Sequence, residues 1–161
     1  MNRKRDGLLL IATSLLAALT LEMVPLPPPL QLWQPPWLLL IVLFWNLHRP
    51  GSVGMTIAWL TGLLLDGALG SPLGTHALLF TITTTFVLLG QRLLHSMPMI
   101  QQALWMALLA FLHQFVAFAM GGGFDSASAS LMPQLAPTIS VLLAWPLINI
   151  ALLNPRRRMM P

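Results

Sequence analysis

No cysteine and no tyrosine occur anywhere in the chain. The first absence excludes disulfides, thiol nucleophiles and thiolate metal sites. Charge is nearly as scarce, with eight Lys and Arg and four Asp and Glu among 161 residues. A soluble domain is about one quarter charged, so this chain cannot cover its surface in water. Catalytic patterns are missing too: there is no HExxH, no GxSxG, no glycine-rich phosphate loop and no pair of carboxylates within one apolar run. No cofactor and no metal are expected, and the chain is read as not an enzyme.

What is present is apolar sequence, 57% hydrophobic with a mean hydropathy of +0.79. The expected fold is an all-α integral membrane protein, a single bundle of six transmembrane helices in one domain, residues 1–161. A pI near 11.6 would suit a nucleic-acid binder. The basic residues sit at the ends of apolar runs instead, where they set orientation in the bilayer, so no nucleic-acid partner is expected. Six spans are read at 7–24, 32–48, 53–70, 75–94, 100–120 and 134–153. That count places Arg3, Lys4, Arg5, Arg49, Arg92 and Arg156–Arg158 together on the cytoplasmic side, with both termini. Omitting the second span would send Arg92 and Arg156–Arg158 outside, against the positive-inside rule. Glu22 and Asp125 then face the outer side, where water reaches Glu22, and Asp66 lies toward it.

Six of the prolines fall within 25–36, which reads as a stiff extended linker rather than helix. Pro36 suits the first turn of the next helix. With Trp37 it forms a periplasmic entry motif, and Trp33 and Trp37 suit the membrane interface. The run Trp37–His48 is too short to cross a core of about 30 Å unaided. Either its helix starts near Leu30 with a proline kink or the bilayer thins there. In the last span Pro146 should introduce a kink. MGGGFDSASAS (120–130) reads as a flexible outer loop, and Arg156–Arg158 as a topology anchor that touches anionic lipid.

The stretch 54–74, GMTIAWLTGLLLDGALGSPLG, organises the reading. At a step of four, Gly54, Ala58, Gly62, Asp66 and Gly70 share one helical face, a helix-packing or partner face. The acid in that groove needs an inward partner. Donors at similar depth are His76, His113 and the amides of the 70–75 turn, so Asp66, His76 and His113 are expected to form a buried polar cluster. Two histidines and one acid without regular spacing favour a hydrogen-bonded structural group over a proton relay or a metal site. His48 and His95 go with Arg49 and Arg92 at the inner surface. Thr81, Thr83, Thr84 and Thr85 are expected to bond back to their own helix or to a neighbour.

The basic head, the segment QPPWLLLIVLFW (34–45), the segment GLLLDGALGSPLG (62–74) and the short basic C-terminus together resemble the MreD family of bacterial rod shape-determining membrane proteins. Gln34 departs from the pattern, which implies an Arg before the proline. The resemblance implies a non-enzymatic scaffold of the bacterial inner (cytoplasmic) membrane, in the cell-elongation complex that directs lateral peptidoglycan synthesis. MreC is the direct partner it implies, alongside MreB, RodA and the elongation transpeptidase. It also implies a fold similar to the substrate-binding membrane subunit of energy-coupling factor transporters. Two classes stay open: a scaffold that grips partner helices, or a small-molecule or lipid-binding transporter subunit with a polar cavity around Asp66, Thr83, His76 and His113. A homodimer is left open.

Overall fold

The computed structural model describes residues 3–120 and 132–159, with side chains over 7–120 and 135–153. Apart from Met120, the loop read at 120–130 lies outside the described residues, as do Asp125 and the side chains of Arg3, Lys4, Arg5 and Arg156–Arg158. Eight helices and no strand occur among the described residues: α1 (Arg3–Met23), α2 (Pro28–Gln31), α3 (Trp37–His48), α4 (Met55–Leu69), α5 (Thr75–Leu89), α6 (Gln91–Ser96), α7 (Met99–Met120) and α8 (Met132–Met159). Two segments, Met99–Met120 and Leu135–Leu153, are long and apolar enough to cross a membrane. The other apolar helices, Gly7–Met23 and α3 to α5, are shorter.

The pairwise packing has a simple order. The most extensive pairings are α4 with α5 and α7 with α8; α5 meets α7, α8 meets α1, and α1 meets α4. These contacts close a ring, and α3 lies inside it against α1, α5 and α8. Every residue of α3 from Leu38 to Leu47 is buried. A helix apolar all round suits either lipid or a protein core, and here the surroundings are protein. This resolves the length problem: α3 is about 18 Å long because its 12 residues face protein rather than lipid.

The helix does not begin near Leu30 with a kink. Its N-cap is Pro36, and Pro28–Gln31 form a separate turn of helix with proline in the first positions, where no amide is missed. The linker is therefore partly helical rather than extended throughout. At the other end the backbone of Arg49 leaves the helical region, as expected before Pro50. The fourth apolar run also divides, at Gly90, into α5 and α6. Gln91 and His95 then approach the Leu47 carbonyl at 2.8 and 2.9 Å, closing the last turn of α3. The rings of His48 and His95 meet edge to face at 5.5 Å, so these two histidines are joined as well as partly solvated.

One buried indole links two helices near the centre. Trp45 Nε1 donates to Ser14 Oγ at 2.9 Å, tying α3 to α1. Thr81, Thr83 and Thr85 bond back to Ala77, Leu79 and Thr81 carbonyls within α5. Thr84 departs from this expected pattern, because its buried hydroxyl has no hydrogen-bond partner. The helix α8 is continuous through Pro137 and Pro146.

Candidate functional site

Asp66 stands in the last turn of α4 and is fully buried. Gly70 ends that helix in the left-handed region at φ 65°, and its amide returns to the Asp66 carbonyl. The chain then reverses through Ser71–Leu73, and Gly74, at φ 101°, starts α5. This reversal brings the first turn of α5 onto the Asp66 carboxylate. Oδ1 accepts from Ser71 Oγ at 2.8 Å, His76 N at 3.0 Å and His76 Nδ1 at 2.7 Å. Oδ2 accepts from Gly74 N at 2.8 Å and Ala77 N at 3.5 Å. The first amides of a helix have no partner within it, and an anion there also meets the positive end of the dipole. Asp66 is therefore a cap supplied by the preceding helix. Because an ionised carboxylate only accepts, His76 carries its ring proton on Nδ1.

One turn earlier the two helices touch. A Cβ built on Gly62 would lie 2.4 Å from Ala77 Cα, 2.6 Å from Ala77 N and 2.7 Å from His76 O. Ala58 and Gly62 are buried, while Gly54 is half-buried and Gly70 exposed. So the middle of the small-residue stripe is filled by α5 of the same chain. Its two ends have open space or, at Gly54, only an ordinary contact.

His113, on α7, does not bond Asp66. Its ring lies 5.8 Å from that of His76 and 5.3 Å from Phe80. It is 6% exposed, and its Nδ1 has no hydrogen-bond partner. No group of three metal-ligating side chains occurs among the described residues. The site can fix a turn, but its members do not converge on one ion.

A second carboxylate repeats the construction. Glu22, in the last turn of α1, accepts from Leu38 N at 3.2 Å and also from the amide of Trp37, and so caps α3. Reciprocally, Gln34 Nε2 donates to the Leu21 and Glu22 carbonyls at 2.8 and 3.3 Å. Glu22, expected where water reaches it, is half-buried, lines a cavity and is also engaged in a structural bond. Pro36 and Trp37, the entry motif, form the N-cap and first residue of the helix that Glu22 holds. The signal for this pair was an acid at one helix end and an amide just before Pro-Pro-Trp.

Between the two caps lies a cavity of about 370 Å³. Its polar wall comes from Glu22, Gln31, Gln34, His76, His113 and Gln114. Asp66 and Thr83 are not among the lining residues, which corrects the composition expected for a polar cavity.

Comparison with known proteins supplies the family. The family model for the rod shape-determining protein MreD matches residues 3–154. The chain belongs to the MreD family. It is also similar to the rod shape-determining protein MreD of Haemophilus influenzae, at 30% identity over 141 residues, covering 88% of this chain and 86% of the relative. No solved structure matches. MreD proteins are membrane proteins involved in rod-shape determination, which accords with the two membrane-capable helices of this chain.

Proposed function

We propose that the chain is a non-enzymatic scaffold subunit of the bacterial inner membrane. It would join MreC to the elongation complex with MreB, RodA and the elongation transpeptidase, and so help direct lateral peptidoglycan synthesis. Six crossings with both termini cytoplasmic go with this proposal, because the described basic residues Arg49 and Arg92 lie at the opposite helix ends from Glu22 and Asp66.

The carrying observation is the 67–74 turn. Five bonds to one buried carboxylate hold it, and it carries Leu69 at 52% and Leu73 at 78% exposure. A rigid apolar tip at the outer end is a surface that the single span of a partner can read, because helix association in lipid depends on close packing. The cavity favours the second reading, a small-molecule or lipid-binding transporter subunit.

The two readings separate on purification in mild detergent. The scaffold should copurify with MreC and without a stoichiometric small molecule. A retained small molecule with no partner protein would favour the transporter subunit, and recovery of a second copy would show a homodimer. The lack of cysteine makes topology direct to measure. Single cysteines at Pro28, Ser71 and Ser126 should react with an impermeant reagent from outside, and those at Pro50 and Met97 only after permeabilisation. A C-terminus labelled from outside would refute the six-crossing arrangement.

A further inference from the structure

The fold uses the Glu22 carboxylate only in part. Two amides of α3 occupy it, whereas an ionised carboxylate offers about four acceptor positions. It stands in the wall of the outer cavity, where its polar neighbours are glutamines and histidines. Among the described residues no Lys or Arg lines this space. Arg49 follows the far end of α3 and Arg92 lies beyond the far end of α5. Asp66 does not line this space, and its carboxylate is already occupied by donors from Ser71, Gly74, His76 and Ala77. Among the described residues an anion entering the cavity therefore meets no Lys or Arg, whereas an ammonium meets a carboxylate.

The remaining surface narrows the class of cation. Leu39, Phe80 and Phe118 form the apolar wall, which does not suit a fully hydrated ion. A bare metal ion lacks ligands, since no set of three exists among the described residues. His113 contributes a ring that is 6% exposed with an unpartnered Nδ1. Such a group costs free energy unless a partner is supplied.

We propose that the outer cavity binds a primary ammonium group, with Glu22 as its counter-ion and the neighbouring glutamine and histidine side chains bonding the polar atoms beside it. The ammonium can arrive on an ethanolamine lipid headgroup or on a free small amine. A quaternary choline group carries the same charge but has no N–H to donate, which makes it the matched control. The site is independent of the scaffold proposal.

The test uses the full chain in nanodiscs of phosphatidylcholine doped with phosphatidylethanolamine, with retained lipid counted by native mass spectrometry and free ethanolamine added in a second arm. The wild type should retain the ethanolamine lipid over the choline lipid by roughly tenfold, the scale of one charge-assisted hydrogen bond. Glu22→Gln keeps an oxygen for the Leu38 amide but removes the charge, and the preference should fall to about one. Gln34→Arg keeps donors toward the α1 carbonyls and places an internal cation beside Glu22. It should abolish the preference with the carboxylate intact, and it decides the matter should Glu22→Gln fail to fold. Displacement by free ethanolamine shows a site open to soluble amines; a lipid preference without displacement assigns it to the headgroup. Equal retention of both lipids by the wild type with no effect of ethanolamine overturns the proposal, as does a preference that survives in a folded Glu22→Gln or in Gln34→Arg. MreC recovery is measured in the same samples, so failure of the lipid test with the partner retained leaves the scaffold proposal standing.

Discussion

Replacing Gly62 by leucine should remove most of the folded protein from the membrane. The atoms in the way are backbone: Ala77 Cα at 2.4 Å, Ala77 N at 2.6 Å and His76 O at 2.7 Å from a Cβ at this position. A flexible side chain could swing aside, but the first turn of α5 cannot, because the Asp66 carboxylate holds it. Overpacking a well-packed site costs about 1–3 kcal/mol, occasionally more. Here the separation of α4 from α5 would also stretch the bonds to Asp66, so a loss of about 3 kcal/mol or more is expected. Gly62→Ala should already be harmful, which distinguishes a steric exclusion from a volume preference. Leu63→Ala, at a half-buried position, should cost below about 2 kcal/mol, under the usual range for deleting a buried leucine. Membrane-fraction level, thermal unfolding in detergent and MreC recovery are the measurements. Normal values for Gly62→Leu in all three would mean that the stripe is an accident of composition.

Asp66→Leu carries the second large effect. It leaves the amides of Gly74, His76 and Ala77, the Ser71 hydroxyl and the His76 ring without their acceptor. Each buried donor left without its acceptor costs about 1–3 kcal/mol, so several lost together make this a severe change. Asp66→Asn should lose less, roughly 1–2 kcal/mol. It can keep one oxygen for Ser71 and His76, but its amide group would face the Gly74 amide. A proton-relay role predicts a different pattern, with Asp66→Asn folding and recovering MreC normally while losing rod shape. Because Gly62 and Asp66 act on the same turn of α5, their effects should not add. The double variant Gly62→Ala with Asp66→Asn should cost less than the sum of the two single changes.

Much of this site could be read from the residues themselves. A step of four placed Ala58, Gly62 and Asp66 on one face, and that face is buried. Depth along the helix named His76 and the turn amides as donors to Asp66, and both bond it. What periodicity could not show is which helix fills the stripe, since small residues invite any close neighbour; the neighbour is α5 of the same chain. Nor could it show that α3 lies inside the ring. Its shortness looked like a deficit for a span, and an all-round apolar pattern cannot tell lipid from protein as its surroundings. Glu22 and Gln34 were missed as partners for a related reason. An acid at a span end is indistinguishable in sequence from a solvated one until the chain reversal that brings it onto another helix is known. Gly90 was hidden inside a long apolar run, because one glycine costs a helix only about 1 kcal/mol and need not end it.

In the proposed scaffold, the turn fixed by Asp66 is the surface that the partner reads. A photo-reactive residue placed at Leu73, 78% exposed at the tip of that turn, tests this most directly. Leu89, 81% exposed at the opposite end of α5, is the comparison. After illumination of intact cells, Leu73 should yield a crosslink to MreC and Leu89 should not, and the Leu73 product should fall in Asp66→Leu at matched protein level. A crosslink from Leu89 but not from Leu73, or from neither while MreC still copurifies, would contradict it.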